Sequence, residues 1–357
     1  MGRPVRVHVL ALRECAPIVP VGVMDLLRKS IELAATLPTS RGRRTIQLSL
    51  IAAGTKRDVV CANGLVVRAD RTLATAGPAD VVVVPALDPD IVARIAQNKA
   101  VVPWLRREFA RGADIASACT GAFLLGEAGI LDGRTVTTHW AFQQLLAQRY
   151  PGARVAPQAV LCDQGRVITA GGATSFINLT LLLVERLLGP DVAWAASRFF
   201  LIDPNKSPQG AYAAFSTQKD HGDAPILRAQ ELIERDVGSA PSVDKLARSV
   251  ALSPRTFSRR FFDATGNTAR DYIQRVRVEA AKRALERGDG VATVADRVGY
   301  GDTAAFRKLF SRLAGLTPAE YRARYGPRSA PAWEPARNSS TGRRRRRAGA
   351  RARARQP

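Results

Sequence analysis

Leu252-Ser253-Pro254-Arg255-Thr256-Phe257-Ser258-Arg259-Arg260-Phe261 and, further along, Gly301-Asp302-Thr303-Ala304-Ala305-Phe306-Arg307-Lys308-Leu309-Phe310 are two versions of one pattern. The likeness extends in both directions. Val243, Leu246, Ala247, Val250 and Leu252 recur 48 residues later as Val291, Val294, Ala295, Val298 and Tyr300. Past the turn the offset becomes 49, and Phe257, Phe261, Gly266, Thr268 and Tyr272 recur as Phe306, Phe310, Gly315, Thr317 and Tyr321. The slip of one residue falls in the turn, where an insertion is tolerated. Two copies are too few for a solenoid, so the pattern is one helical unit used twice.

Each unit pairs a short amphipathic helix with a tight turn and a second helix carrying cations, which is the grammar of a helix-turn-helix. Ser253 is placed as N-cap with Pro254 at the first helical position, and Asp302 takes the cap in the second copy. Arg255 and Arg259 stand four apart on one face with Ser258 beside them. Arg307 and Lys308 take the matching face of the second copy, with Thr303 and Ala304 one turn earlier. Between the copies, residues 271–286 form one continuous helical pattern, roughly 24 Å long at 1.5 Å per residue. Such a helix can hold two recognition helices near the ~34 Å spacing of successive major grooves.

Upstream the period changes. Short β-branched runs at 5–12, 45–53, 81–84, 115–118 and 167–170 alternate with amphipathic stretches at 21–37, 89–97, 102–110, 121–128, 140–148 and 174–188. That alternation predicts a mostly parallel sheet covered on both faces. Residues 57–70, with Asn63-Gly64 between apolar runs, add a small hairpin. At one strand-to-helix turn, Ala116-Ser117-Ala118-Cys119-Thr120-Gly121-Ala122 has the form of a nucleophile elbow, with small residues flanking a cysteine. A helix N-terminus there would favour the thiolate of Cys119, and the next N–H groups could hold an anion. His139, after the short strand at 134–138, is a candidate partner for the thiol. Cys15, Cys61 and Cys162 lack such surroundings and are expected as core fillers.

Composition bounds the rest. The 357 residues carry 54 Lys+Arg against 31 Asp+Glu, a net charge of +23. The excess is spread along the chain: 25 against 17 in residues 1–221, 19 against 13 in 222–326, and ten Arg against Glu334 in 327–357. A basic excess without an amphipathic or apolar anchor points to nucleic acid before membrane. No apolar run approaches the roughly 18 residues of a membrane span. The N-terminus leads into alternating apolar residues rather than a signal-peptide core. Four cysteines without a CxxC and three scattered histidines suggest neither a disulfide scaffold nor a metal site, and no cofactor is implied. A cytoplasmic, nucleoid-associated protein is expected. The domain reading is 5–200, a polar linker at 201–224, a helical domain at 225–326, and an Arg-rich tail at 327–357 whose composition predicts disorder.

The stretch 252–261, with Val298-Gly299-Tyr300, 306–310 and the closing Leu316-Thr317-Pro318-Ala319-Glu320-Tyr321-Arg322, strongly resembles the AraC/XylS-type DNA-binding domain. The resemblance implies an all-α double helix-turn-helix domain in a transcription factor that binds double-stranded operator DNA. Carried over by position, Arg255, Ser258 and Arg259 would contact bases from the first unit, and Thr303, Ala304, Arg307 and Lys308 from the second. Ala304 departs from the pattern, since it offers only contact with a thymine methyl. The elbow, with Val81–Pro85 before it, 129–140 after it and Ala170-Gly171-Gly172-Ala173-Thr174-Ser175, resembles the PfpI/ThiJ domain of the class I glutamine amidotransferase type. It looks most like the branch fused to AraC-type domains, the GlxA-type regulators. This second resemblance implies a flavodoxin-like α/β sandwich that usually dimerises.

Enzymes of that superfamily place an acid beside the thiol, and Glu14 is the one candidate in the loop after the first strand. In regulators of this type the pocket serves effector sensing, so Cys119, Thr120, His139 and Glu14 are expected to line a small-molecule site without turnover. RNA polymerase is a further possible partner. The alternative is a cysteine-dependent hydrolase or amidase-like enzyme with an accessory DNA-binding module.

The tail generates its own test. Ten Arg with no apolar periodicity can neutralise phosphates but cannot read bases, and each phosphate contacted contributes a slope of about −0.9 in log K against log salt. Deleting residues 328–357 should weaken operator and random DNA by a similar factor and flatten the salt dependence, as measured by fluorescence anisotropy. A truncated protein with the full-length slope would show that the tail does not touch DNA.

Overall fold

The computed structural model describes residues 3–37, 45–203, 208–215, 217–239 and 241–327. The Arg-rich segment from 328 onward lies outside these residues. The chain opens with β1 (Val5–Ala11), α1 (Ile18–Thr36) and β2 (Ile46–Ala52). The expected hairpin follows as β3 (Asp58–Val60) and β4 (Val66–Arg68), turning through Asn63-Gly64. Then come β5 (Arg71–Thr72), β6 (Val81–Val84), α2 (Ile91–Gln97), α3 (Val101–Ala110), β7 (Asp114–Ala118) and α4 (Ala122–Glu127). Next are β8 (Thr135–Val136), α5 (Gln143–Arg149), β9 (Arg154–Val155), β10 (Leu161–Gln164), β11 (Val167–Ala170), α6 (Phe176–Leu188) and α7 (Pro190–Phe199).

Seven strands form one sheet in the order β10-β11-β7-β6-β1-β2-β5, parallel throughout except for β10, which runs against β11. This is a flavodoxin-like α/β sheet. Its central strands are apolar without alternation, as Val81–Val84 illustrates with all four residues buried, because helices cover both faces. The helical pattern at 140–148 resolves into a 3-10 turn at Trp140–Phe142 followed by α5. Helix α7 is an addition to the sequence reading; Gly189 ends α6 and Pro190 starts the next helix at once.

The C-terminal part contains α8 (Gln209–Tyr212), α9 (Ala224–Arg235), α10 (Val243–Ser249), α11 (Pro254–Thr265), α12 (Ala269–Glu286), α13 (Val291–Arg297), α14 (Thr303–Ala314) and α15 (Pro318–Tyr325). The sequence repeat becomes two separate cores. One gathers Ile226, Ile233, Leu246, Phe257, Phe261 and Tyr272; the other gathers Val278, Leu285, Val294, Phe306, Phe310 and Tyr321. Even the polar details repeat. Tyr272 donates its hydroxyl proton to Glu234 at 2.6 Å, and Tyr321 donates to Glu286 at 2.7 Å. Thr268 and Thr317 cap α12 and α15 through their side-chain oxygens, the second completing a capping box with Glu320.

The segment expected as a polar linker does more than span a gap. Gln209, at the start of α8, is 4% exposed and enters the sheet domain. Its amide nitrogen donates to Thr137 Oγ1 at 2.9 Å, to the Thr138 carbonyl at 3.1 Å and to the Ala159 carbonyl at 2.7 Å. The next residue faces both parts. Gly210 N–H donates to Gln158 Oε1 at 3.0 Å, and its carbonyl accepts from Lys282 Nζ at 2.7 Å. A Cβ at Gly210 would lie 2.4 Å from the Leu313 carbonyl, so only glycine allows this approach. Ala211 then packs into the second helical core. Polarity alone suggested a spacer; the Gln209 side chain joins the two domains, while Lys219, His221 and Asp223 bond within the helical part.

Separate cores make a testable statement about stability. Phe306→Ala, removing a fully buried ring, should cost about 3–5 kcal/mol. In urea it should unfold the C-terminal part early, followed by helical circular dichroism, and leave the transition of the sheet domain in place. A single shifted transition for the whole chain would show that the cores are not independent.

Candidate functional site

Each recognition helix is fixed by its cap and its buried rings, and these decide what faces outward. In α11 the Ser253 hydroxyl oxygen accepts from the Thr256 N–H at 3.3 Å, Pro254 occupies the first helical position, and Phe257 and Phe261 are fully buried. The opposite face exposes Arg255, Ser258 and Arg259. Arg260 is turned away and makes a two-pronged ion pair with Asp223, both contacts at 2.8 Å, tying α11 to the start of α9. That guanidinium holds the Asp223 carboxyl below its usual range. In α14 Asp302 accepts from the Ala304 N–H at 2.8 Å, Phe306, Leu309 and Phe310 are buried, and Ala304, Arg307 and Lys308 are exposed. Thr303 is half-buried. Among the described residues, Arg255, Arg259, Arg307 and Lys308 enter no ion pair, whereas Arg260, Arg287 and Arg297 do. The cations on the two outward faces are therefore uncommitted.

The thiol pocket differs from its expectation in three respects. Cys119 does sit at a strained elbow between β7 and α4, with φ of 54°. Gly121 permits the close pass, since a Cβ there would lie 2.6 Å from the Pro85 carbonyl oxygen. The thiolate expectation fails, however. Burial pushes the Cys119 thiol up, against the opposing pull of hydrogen bonds from Thr120 and from the His139 backbone. The helix behind the elbow is only six residues long, so little dipole opposes the desolvation.

The partners are also arranged differently. His139 meets the sulfur through its backbone N–H, while its ring nitrogen Nδ1 accepts from the Ala141 N–H at 3.2 Å and caps the 3-10 turn. Burial lowers the His139 pKa, so the ring is neutral at pH 7. Its ring packs on Trp140 with centroids 5.1 Å apart. The Thr120 hydroxyl donates to the Leu87 carbonyl at 2.7 Å and accepts from the Leu87 N–H at 2.8 Å, which leaves the Thr120 side chain occupied. Glu14 is half-buried with φ of 57°, and its charge bears on Cys61.

The sequence reading missed two features. Cys15 and Cys61, 46 residues apart in the chain, place their sulfurs 3.7 Å apart in the core as free thiols. Gln209 lies against Gly171, one bond network away from the elbow, because Thr138 also donates to the Cys119 carbonyl at 2.9 Å. No spacing rule signals either, since both depend on tertiary contact. Among the described residues no cluster of three His, Cys, Asp or Glu could hold a metal, and no helix is long and apolar enough to cross a membrane.

Comparison with known proteins agrees with this architecture. The model of the DJ-1/PfpI family matches residues 25–186, and that of a helix-turn-helix domain matches residues 246–324. The HTH-type transcriptional regulator GlxA of Rhizobium meliloti is 28% identical over 235 residues, covering 65% of this chain and 72% of its own. The HTH-type transcriptional regulator CdhR of Pseudomonas aeruginosa is 28% identical over 282 residues, covering 78% and 82%. An isonitrile hydratase of Pseudomonas putida is 33% identical over 150 residues, covering 40% and 64%. A DJ-1/PfpI domain followed by an AraC-type helix-turn-helix domain makes this chain a transcriptional regulator.

Proposed function

We propose that the protein binds operator DNA sequence-specifically as a homodimer and that its DJ-1/PfpI domain senses a small metabolite. The observation that carries the DNA half is the pair of exposed, uncommitted cationic faces on α11 and α14. Both are fixed to one 18-residue helix, α12. Arg255, Ser258 and Arg259 read bases from the first unit. Arg307 and Lys308 do so from the second, with Thr303 and Ala304 at the N-terminal turn giving a polar and a methyl contact. For the sensing half, Cys119 meets the His139 backbone at the elbow, and Thr120 bonds to the sulfur through both its backbone and its side chain.

A second reading rests on the likeness to the isonitrile hydratase: a cysteine-dependent enzyme with an accessory DNA-binding module. The raised thiol and the imidazole used as a cap favour sensing over turnover.

Operator sequences selected from a random library give the test of DNA reading. Arg255→Ala and Arg259→Ala should each weaken the selected site by about 1–3 kcal/mol and relax preference at the bases they face, while random DNA binds nearly as before. Unchanged operator affinity in both variants would remove α11 from the role. Sedimentation should find a dimer with and without DNA.

Cys119 gives the test between sensing and catalysis. Because the folded protein raises its pKa, the thiolate that alkylates is scarce at pH 7, and the iodoacetamide rate should climb with a midpoint above that of an ordinary thiol. Cys119→Ala should keep operator binding without effector. Turnover of an isonitrile, amide or aldehyde that disappears in Cys119→Ala would favour the enzyme.

A further inference from the structure

A cavity of about 560 Å³ lies where the two parts of the chain meet, within the roughly 300–1,000 Å³ typical of small-molecule sites. Neither part forms it alone. The sheet domain supplies Trp140, Gln144 and Gln158, the strand of chain after α8 supplies Phe215, and α12 supplies Arg275 and Lys282. Arg312, near the end of α14, closes another side.

The charge in this cavity is one-signed. Arg275, Lys282 and Arg312 face it against a single carboxylate, Glu279. Lys282 is the unusual member, 5% exposed, with Nζ donating to the carbonyls of Gly210 at 2.7 Å and Ala213 at 2.6 Å. Two carbonyls hold its position but carry no full charge, and the Glu279 carboxylate lies at the 4.0 Å limit of an ion pair. Glu286 attracts the ammonium more weakly than Glu279 does, burial still outweighs both, and a further anion nearby would offset that cost. Arg275 lies 5.9 Å from the Phe215 ring and Arg312 donates to the neutral Gln274 amide, and among the described residues neither guanidinium enters an ion pair.

The apolar contribution is aromatic. Trp140 and Phe215 are the two rings in the lining, and a flat body can pack on such surfaces. Trp140 also packs on His139, whose backbone N–H bonds to the Cys119 sulfur. The amide of Gln144 can bond to polar substituents at the rim.

We propose that this cavity is a second ligand site, taking a small organic carboxylate with an aromatic or similarly flat body. The carboxylate meets Arg275, Arg312 and the Lys282 edge, and the flat part meets Trp140 and Phe215. The site stands apart from the thiol pocket proposed above for sensing. Its effect on DNA rests on the regulator reading: walls from both domains are held together by an occupant, which favours whichever arrangement binds it more tightly. Binding itself does not rest on that reading.

The test is calorimetric titration of the full chain with benzoate and indole-3-acetate, set against the neutral benzamide and indole-3-acetamide. At least one acid should bind saturably and its amide should not. Arg275→Gln combined with Arg312→Gln, both at exposed positions and safe for folding, should weaken that acid by about tenfold or more through loss of charge-assisted bonds. Trp140→Ala should weaken it too, and Cys119→Ala should leave it unchanged. No saturable binding of either acid, equal binding of acid and amide, or binding lost in Cys119→Ala but kept in the double Arg variant would each overturn the site. Operator affinity with and without the bound acid is a separate reading; a site that binds the acid without moving DNA affinity would stand as a site and count against coupling.

Discussion

Helix α12 is shared by two cores, which also meet at the half-buried Val237, and the arrangement of everything C-terminal to the sheet depends on that sharing. Tyr272 and Val276 near its start belong to the first core, and Val278, Ala281 and Leu285 further along belong to the second. At 1.5 Å per residue its 18 residues span about 27 Å. Each recognition helix is packed against one end through two phenylalanines, so the orientation of either face is set by rings with no freedom to move. A flexible connection would let the two faces search independently; a continuous helix makes them one rigid reader.

The same helix is where the sheet domain takes hold. Lys282 reaches from α12 to the carbonyls of Gly210 and Ala213, while Gln158 of the sheet domain donates to the Leu313 carbonyl at 2.9 Å and accepts from Gly210. Gln209 completes the connection on the other side, through Thr137 and Thr138. These are buried polar bonds between parts with separate apolar cores. Individually each contributes only about 1 kcal/mol, yet leaving any of them unmade in a buried place costs more than that. Such a junction is orienting rather than strongly adhesive. It holds in one geometry and has little apolar area to retain it in another.

Much of this was legible in the chain because local pattern and tertiary role agree. The strands at 81–84 and 167–170 end where their apolar runs end, and Ser253, Pro254 and Asp302 take the helix-start places that their chemistry dictates. The repeated Phe and Tyr positions are buried in both copies for the same reason, since a two-helix unit has only one face to hide. Legibility stopped where polarity served two purposes. Gln209 and Gly210 look like loop residues and are junction residues. Glu14 stands in a positive-φ turn where its charge bears on Cys61, a pairing that no local pattern signals. Lys282 sits among apolar residues in a basic helix, and sequence alone gives no hint that its ammonium is buried.

Cys119 shows how magnitude decides between two local rules. An elbow at a helix start lowers a thiol pKa through the dipole, a stabilisation of about 0.3–1 kcal/mol for the anion at a surface site, where one pKa unit is 1.36 kcal/mol. Desolvation acts the other way and can shift a fully buried group by several units. At 7% exposure, with a short helix behind it and a neutral imidazole whose nearest donor is a backbone N–H, the thiol falls on the desolvation side. A nucleophile needs the opposite arrangement: a base aimed at the sulfur and an acid orienting the base. Here the imidazole is spent on a helix cap and on stacking with Trp140, so the strained elbow holds a shape rather than a charge. The close pass at Gly121 sets the β7–α4 turn against the end of β6, and the His139 backbone N–H meets the sulfur from the other side, so the φ of 54° at Cys119 is held by backbone contacts rather than by charge.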